Sequence, residues 1–331
     1  MAKIDSEKSD EPMVGIVLAT YNPCLSYLID QVNSLKNQTY KNWKCIVVDD
    51  CSSEEKFRNI RCILSGDARF ELHRNTKNQG SFKTFETGLC LLPKEAKFVC
   101  YCDQDDIWAP TKLAEQLKAF KDESVYLVHT DQMLINEDNQ VFIKSCWELE
   151  GRNVYEASTD LLMFRNLITG CTTMFRREVL NTALPFYPPR PSHIMYHHDM
   201  WVAMHACVHG RVIGLKNPLV MYRQHGANLV GVATLRKKLV FRNLALRAGQ
   251  AFRERWGLRQ DFLDSLERFD RKTCALQRRS LSYLDRPWAL IRKGFDFVWH
   301  HPLFFRTWIM LGVGYLHFYL TGKLTVQTKK A

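Results

Sequence analysis

Short apolar runs alternate with segments of helical spacing over the first 130 residues of the chain. The first of these runs, 14–20, is rich in β-branched residues, and the pattern predicts strands at 14–20, 44–50, 70–74, 98–102 and 125–129. Between them, apolar residues recur at intervals of three and four over 25–37, and residues 81–92 also read as helical. Strands that are apolar on both faces and separated by helices indicate βαβ units. We therefore expect an α/β fold with a mostly parallel, Rossmann-like sheet flanked by helices.

The pattern is more mixed in the rest of the chain. It predicts a helix that begins at Ile107–Pro110, helices over 155–165 and 196–208, and strands over 141–144 and 167–175. Residues 212–223 predict a Gly-Leu-Lys-Asn-Pro turn followed by a strand. From residue 232, a basic helix-prone stretch over 235–259 precedes a dense apolar and aromatic run over 286–322. We therefore divide the chain into a polar N-terminal tail (1–12), an α/β domain (13–231) and a basic helical region (232–331).

The charge distribution supports this division. The chain has 46 Lys and Arg residues, 35 Asp and Glu residues and a net charge of +11. Residues 1–231 have a net charge of −2, whereas residues 232–331 have a net charge of +13. Basic charge combined with aromatic bulk is typical of segments that bind an anionic membrane surface. Residues 303–322 have about the length of a membrane span, but an in-plane amphipathic helix fits them equally well.

The cysteine and histidine pattern favours structural roles in a reducing compartment. The 11 cysteines lie largely inside apolar runs, and the N-terminus has no apolar signal-peptide core. Cys100 and Cys102 have strand-like spacing without a second pair, and His205 and His209 lie on a helix face with core character. We expect a cytoplasmic protein without a zinc site.

Polar residues follow the predicted strands where each strand ends. They are Thr20, Tyr21 and Asn22 after the first strand, Asp49 and Asp50 at the second, and Asp103 to Asp106 at the fourth. Ligands of parallel sheets bind beyond these ends. The carboxylates Asp103, Asp105 and Asp106 repel one another unless a cation lies among them, which indicates Mg²⁺ or Mn²⁺. Helix capping by these acids is the alternative.

Further candidate residues lie in loops and at helix starts. Gly80, with Asn78, precedes a helix N-terminus that could approach an anion. Asp199 adjoins two histidines and could act as a general base. Arg223 could hold a phosphate, and His225 could join a metal shell, although a plain polar loop is the alternative for both. The chain has neither G-x-G-x-x-G after the first strand nor a P-loop motif.

These motifs, taken in order, resemble the family-2 glycosyltransferases of the GT-A fold. The matching pieces are VGIVLATYNP, NQGSFKTFETGL, YCDQDDIWAPTKL, ITGCTTMF, HHDMW and YRQHGANLVG, within residues 13–231. The last two pieces are similar to those of a bacterial rhamnosyltransferase-like subgroup that assembles surface polysaccharides.

The resemblance implies a role for each candidate residue. It implies nucleotide binding by the residues at the strand ends and in the following loops: Thr20, Tyr21, Asn22, Asp49, Asp50, Asn78 and Gly80. It implies that Asp103 and Asp105 bind the metal and the donor diphosphate, with His225 in the metal shell, and that Asp199 is the catalytic base. His198 stands where the family usually has an acidic residue, and the Gln-x-x-Arg-Trp motif of processive enzymes is absent, which favours transfer of a single sugar.

The implied activity is a metal-dependent, inverting sugar transfer. The donor is a nucleotide-sugar, with dTDP-rhamnose first and UDP-sugars next, and Arg223 would assist its diphosphate. The acceptor is a saccharide, for which we expect a polyprenyl-diphosphate-linked form at the inner face of the plasma membrane, as in O-antigen-type polysaccharide biosynthesis. A sugar-phosphate nucleotidyltransferase would need a Gly-rich basic loop after the first strand, which ATYNPCLSY lacks. A nucleic-acid binder using the basic region would show basic residues around stacking aromatics, so we expect no nucleic acid partner.

Overall fold

The computed structural model describes residues 11–152, 155–164, 166–187, 197–226, 244–282 and 292. Their centre is a ten-stranded sheet with the order β3-β2-β1-β4-β9-β6-β10-β5, in which β7 pairs with β6 and β8 pairs with β10. The strands are β1 (Met13–Thr20), β2 (Trp43–Asp49), β3 (Phe70–Arg74), β4 (Ala96–Cys102), β5 (Ile107–Trp108), β6 (Val125–Ile135), β7 (Val141–Ile143), β8 (Glu156–Ala157), β9 (Met174–Arg176) and β10 (Arg211–Arg223).

The strand directions confirm a mostly parallel sheet. β1 is parallel to β2 and β4, and β2 is parallel to β3. β9 lies antiparallel between β4 and β6, so β6 and its parallel neighbour β10 run in the same direction as β4. The carboxyl ends of the six principal strands therefore point toward the same side of the sheet.

Helices cover both faces of the sheet. They are α1 (Leu25–Lys36), α2 (Glu54–Leu64), α3 (Ser81–Leu91), α4 (Lys112–Ala119), α5 (Cys146–Leu149), α6 (Thr159–Phe164), α7 (Leu180–Ala183), α8 (His198–His209), α9 (Leu244–Phe269) and α10 (Arg271–Ser280). Alternate strand residues enter opposite cores. Val17 packs in the core that includes Phe85 of α3, whereas Ile16 packs in the core that includes Leu28 of α1.

Helix α3 approaches β1 closely at one glycine. A Cβ atom on Gly88 would lie 2.2 Å from Cγ1 of Val17, a distance that real Cβ atoms do not show. Glycine is therefore required here for α3 to rest directly on the sheet. This contact fixes the helix behind the loop that carries Asn78 and Gly80.

Four predicted elements differ from the structure. The turn predicted at 214–218 lies inside the single strand β10, where the pairing with β6 only shifts register between Leu215 and Pro218. Ile107–Trp108 form the strand β5, paired with β10, and the helix predicted there begins at Lys112. The strand predicted over 167–175 is a 3₁₀ turn at Gly170–Thr172 followed by β9, and the helix predicted over 155–165 is β8 followed by α6. Each of these short elements depends on partners distant in sequence, which a local pattern of apolar residues does not reveal.

The described part of the basic region packs against the α/β domain. Leu258, Phe262 and Leu266 of α9 are buried in the same core as Val17 of β1. None of the helices in the described part of the chain combines the length and apolar character needed to cross a membrane. The predicted boundary at residue 231 and the aromatic run over 303–322 lie outside the described residues, and the division into domains stays a prediction.

Candidate active site

The polar ends of β1, β2 and β4 lie side by side. In the parallel register Thr20 is paired with Asp49, and Leu18 is paired with Cys102, the residue before Asp103. The residues that follow these three strands therefore meet at one edge of the sheet. This placement agrees with the site expected from the sequence.

Asp49 holds the strand ends together. Its carboxylate accepts hydrogen bonds from Thr20 Oγ1 at 3.2 Å and from the Ser52 amide at 2.9 Å, and its side chain is fully buried. The expected role in nucleotide binding does not fit this burial, because both carboxylate oxygens already have protein partners. Thr20 is likewise buried and directed at Asp49 rather than at an open site.

Asp50 organises the loop between β3 and α3. Its Oδ1 accepts a hydrogen bond from the Gln79 amide at 2.9 Å, and its Oδ2 accepts one from the Gly80 amide at 2.8 Å. Asn78 donates its side-chain amide to the Asp50 carbonyl at 3.3 Å. Gly80 has a φ of 79°, which glycine adopts without strain. The structure thus brings Asp50, Asn78 and Gly80 together, and their role in nucleotide binding stays a prediction.

Tyr21 and Asn22 form the loop after β1. The Tyr21 side chain is 49% exposed, so its ring is free to stack on a base. The backbone amide of Asn22 donates to Ser52 Oγ at 2.7 Å, and the side-chain Oδ1 of Asn22 accepts from the Ser53 backbone amide at 3.0 Å. Asn22 therefore anchors this loop to the one after β2, while Tyr21 presents the accessible surface.

The carboxylates after β4 divide into two groups. Ligand atoms of Asp103, Asp106 and Cys171 all lie within 4.8 Å of one another. Asp105 instead contacts His225, with 2.8 Å between its Oδ2 and the imidazole Nε2. The structure thus pairs two of the three expected metal ligands with each other and places Asp103 beside Asp106 and Cys171. The sequence offered no signal for Cys171, which lies in a segment predicted as a strand.

The electrostatics of this cluster fit a divalent cation. Burial, with the charges of Asp105 and Asp199, raises the pKa of Asp103 to about 7. Burial and the neighbouring carboxylates raise the pKa of Asp106 well above its usual range. Oδ2 of Asp106 is buried without a nitrogen or oxygen donor bonded to it, and the polar group beside this carboxylate is the Cys171 thiol, a weak donor. Hard oxygen ligands with an unmet need for positive charge suit Mg²⁺ or Mn²⁺, whereas a Cys171 thiol with a raised pKa is a weak ligand for either.

Arg223 is hydrogen-bonded to the backbone of the carboxylate loop after β4 (residues 103–106). Its guanidinium is fully buried and donates to the Asp105 carbonyl at 2.8 Å and to Asp30 Oδ2 at 3.1 Å. It also donates to three acceptors in the β6–β7 turn, the side-chain Oδ1 of Asn139 and two backbone carbonyls. The expected contact with a donor phosphate does not fit this arrangement, because the donors face protein acceptors. Its backbone amide adds a 3.1 Å hydrogen bond to Oδ1 of Asp106.

Asp199 lies in the first turn of α8, beside the carboxylate cluster. Its carboxylate accepts hydrogen bonds from Asn166 Nδ2 at 3.2 Å, from the Gly170 amide at 3.1 Å and from the Met200 amide at 2.6 Å. Burial raises the pKa of Asp199, although these donors and His197 oppose the shift. A raised carboxyl pKa brings the group closer to the range useful for a general base.

His198, His205 and His209 of α8 contact other side chains of the protein. Burial lowers the pKa of His198 to about 3, and its ring stacks on Phe85 with 3.8 Å between centroids. His205 contacts Ser265 and His209 contacts Thr182. The ring nitrogens of the latter two thus reach different protein partners, as expected for structural histidines.

The chain matches a known family over half its length. The model of Glycosyl transferase family 2 matches residues 15–184. WfgD of Escherichia coli, named as a UDP-Glc:α-D-GlcNAc-diphosphoundecaprenol β-1,3-glucosyltransferase, is 26% identical over 132 residues, covering 40% of this chain and 50% of WfgD. WfaP of Escherichia coli, with the same activity in its name, is 24% identical over 174 residues, covering 53% and 65%. The alignments with these relatives thus span half to two thirds of their length.

Solved structures share the fold. Residues 1–349 of TarS from S. aureus, in complex with UDP-GlcNAc, align with a TM-score of 0.50 and 16% identity over 94% of this chain and 92% of that one. The mannosyltransferase PcManGT of Pyrobaculum calidifontis, in complex with GDP-Man and Mn²⁺, aligns with a TM-score of 0.50 and 16% identity over 95% and 89%. The sheet with its strand-end loops is thus of the GT-A type, and the chain belongs to glycosyl transferase family 2.

Proposed function

We propose that this protein is a metal-dependent, inverting glycosyltransferase that moves one sugar from a nucleotide-sugar to an acceptor hydroxyl. The proposal rests on the proximity of two acidic sites with different roles, the candidate base Asp199 and the candidate cation site at Asp103 and Asp106. Asp199 accepts a hydrogen bond from the Gly170 amide at 3.1 Å, and the next residue, Cys171, has its thiol within 4.8 Å of carboxylate oxygens of Asp103 and Asp106, so a candidate base and a candidate cation site lie side by side. A sugar transfer by direct displacement needs both, one beside the acceptor and one beside the leaving diphosphate.

The donor would lie across the loops at the sheet edge. The exposed Tyr21 ring would contact the base, and the Asn78–Gly80 loop, held by Asp50, would approach the nucleotide. Asp103 and Asp106 would hold Mg²⁺ or Mn²⁺, with Asp105 and His225 next to them. UDP-sugars occur in the names of the WfgD and WfaP relatives. The rhamnosyltransferase-like motifs favour dTDP-rhamnose, and both donors carry a pyrimidine base.

The residues of this chain then divide the work of the reaction. A bound cation would supply Lewis-acid stabilisation of the charge on the departing diphosphate. Asp199 would accept the proton of the acceptor hydroxyl as that oxygen attacks the anomeric carbon, which inverts the configuration there. The hydrogen bonds from Asn166, Gly170 and Met200 would hold the carboxylate in a fixed orientation during the transfer.

For the acceptor we propose a saccharide on a polyprenyl diphosphate, used in cell-surface polysaccharide biosynthesis at the cytoplasmic face of the membrane. Support comes from the diphosphoundecaprenol acceptors in the names of WfgD and WfaP. The +13 charge of residues 232–331 would provide peripheral attachment to anionic lipid. Helix α10 shows the same character, because Arg271, Lys272, Arg278 and Arg279 are all exposed.

Membrane attachment is tested best by charge reversal, since α9 belongs to the core and its removal would unfold the domain. We expect a variant with Arg271, Arg278 and Arg279 changed to Glu to sediment less with vesicles of anionic phospholipid than the wild type. The matched control changes three exposed lysines of the α/β domain, Lys94, Lys97 and Lys121, to Glu. Equal loss of sedimentation in both variants would contradict a specific role for α10.

Donor and metal are tested by ligand-dependent thermal unfolding. UDP-, dTDP- and GDP-sugars are each added with and without Mn²⁺. A ligand at a hundred times its Kd adds about 2.7 kcal/mol to the unfolding free energy, which corresponds to a shift of the unfolding midpoint by roughly 4 °C for a chain of 331 residues. We expect this shift with Mn²⁺ for a pyrimidine nucleotide-sugar, its loss in Asp103→Asn, and its retention in the exposed control Glu123→Gln. A shift independent of both Mn²⁺ and Asp103 would contradict the metal site.

A further inference from the structure

Gln104 connects the two halves of the proposed donor site. It lies between Asp103 and Asp105, and its side-chain amide faces the peptide of Tyr21. The Tyr21 amide donates to Oε1 of Gln104 at 2.8 Å, and Nε2 of Gln104 donates to the Tyr21 carbonyl at 3.4 Å. A carboxamide is a side chain that accepts and donates in one plane, so Gln104 pairs with this peptide as a neighbouring strand would.

The connection continues beyond Tyr21. The next residue, Asn22, donates to Ser52 Oγ and accepts from the Ser53 amide, which joins the loop after β1 to the loop after β2. Asp50, two residues before Ser52, accepts hydrogen bonds from the Gln79 and Gly80 amides of the loop before α3. Through Gln104, the carboxylate loop after β4 is thus hydrogen-bonded to the loop after β1. That loop contacts the loop after β2, which in turn contacts the loop before α3 through Asp50.

We propose that Gln104 is a positioning residue that couples cation binding at the carboxylate loop to nucleoside binding at Tyr21. The inference rests on the proposed function, because it assumes that both ligands bind at this edge. A cation that orders residues 103–106 would fix the Gln104 amide, which in turn would fix the Tyr21 peptide and its ring. By linkage, a nucleoside held by Tyr21 would then strengthen cation binding by the same factor.

The free protein leaves this pair exposed to water, where such hydrogen bonds add little stability. A nucleotide that spans both loops would cover the pair and exclude water from it. Hydrogen bonds strengthen when the surrounding dielectric falls. The hydrogen bonds between Gln104 and Tyr21 would therefore be stronger when a nucleotide is bound. For this reason we expect them to couple the two ligands rather than to stabilise the fold.

The probe that isolates this coupling is uridine, a nucleoside without phosphates. Mg²⁺ cannot contact uridine through a phosphate, so any effect of Mg²⁺ on uridine affinity must pass through the protein. We expect saturating Mg²⁺ to tighten uridine binding to the wild type about fivefold, measured by saturation-transfer NMR. In Gln104→Met, which keeps the length of the side chain without its hydrogen bonds, we expect less than a twofold effect.

Two further variants complete this test. Gln104→Glu keeps the acceptor for the Tyr21 amide and loses the donor, so its Mg²⁺ effect on uridine should be intermediate. Gln140→Met, an exposed glutamine in the β6–β7 turn, should behave as the wild type. A wild-type response to Mg²⁺ in Gln104→Met, or no response in the wild type, would overturn the role of Gln104.

Binding of UDP separates this outcome from failure of the proposed function. Cation-dependent UDP binding together with cation-independent uridine binding leaves the proposed site intact and overturns only the coupling through Gln104. Absence of binding of both UDP and dTDP, with either Mg²⁺ or Mn²⁺, overturns the proposed function and, with it, this inference.

Discussion

Replacement of Arg223 by methionine separates a structural role from a donor-binding one. The guanidinium is 0% exposed and donates to three separate segments: the Asp105 carbonyl after β4, Asp30 on α1 and the β6–β7 turn. It also lies over the Tyr27 ring, with 4.3 Å to the centroid. Methionine would keep most of the side-chain volume but none of these hydrogen bonds.

The expected loss of stability follows from the hydrogen-bond acceptors that the substitution would leave without a donor. Removal of one partner from a buried ion pair costs about 3–5 kcal/mol. The Asp30 side chain is 33% exposed, so water can replace part of its lost interaction, and the lower end of that range applies. We expect Arg223→Met to lower the free energy of unfolding by about 3 kcal/mol. Arg223→Lys keeps the charge but has fewer donors, so its loss should be smaller.

Urea unfolding followed by tryptophan fluorescence measures this loss without any ligand. Arg58→Met, at an exposed position on α2, is the control and should unfold as the wild type does. Affinity for UDP with Mg²⁺ is measured on the same samples. If Arg223→Met keeps the wild-type unfolding midpoint and loses UDP affinity, the guanidinium binds the diphosphate and our placement of Arg223 is wrong.

Three further substitutions test other parts of the structure. Gly88→Ala should lower the free energy of unfolding by roughly 1–3 kcal/mol in urea titrations, because the new methyl group would meet Val17. His205 has a pKa of about 3 when folded and about 6.5 when unfolded, so its contribution to stability is complete above pH 6.5 and is lost as the pH falls. Between pH 7.5 and 5.5, His205→Gln should therefore lose about 1.4 kcal/mol less than the wild type. Asp50→Asn should accelerate hydrogen exchange of the Gly80 amide about tenfold, because a side-chain amide group would replace one acceptor oxygen.

Each of these predictions has a result that contradicts it. Wild-type stability of Gly88→Ala would mean that α3 is not packed as closely on β1 as described. A pH dependence unchanged by His205→Gln would mean that His205 titrates normally in the folded protein. Unchanged exchange at Gly80 would mean that Asp50 does not hold the loop before α3.

The regular strands and helices were predictable because their signal is local. β1, β2 and β4 are apolar runs close to the predicted length, and the chain places polar residues directly after them. Parallel pairing then brings those residues to one edge whatever the details of packing. The positions of Asp50, Gly80 and Asp103 follow from this rule alone.

Other features depend on contacts between distant segments. β5 is two residues long and is a strand because β10 pairs with it. Cys171 reaches Asp106 only through a 3₁₀ turn that the apolar pattern did not indicate. The burial of Arg223 depends on α1 and on the β6–β7 turn, so its local sequence, Tyr-Arg-Gln-His, gave the same signal as a phosphate-binding loop.

The proposed sugar transfer is tested most directly by the rate of transfer by Asp199→Asn, measured beside its affinity for the donor. Asparagine keeps the shape of the side chain and removes the proton acceptor. With a donor and an acceptor that the wild type uses, we expect a rate lower by about 100- to 10,000-fold and a donor Kd within about twofold of the wild type. A transfer rate within tenfold of the wild type would contradict the assignment of Asp199 as the base.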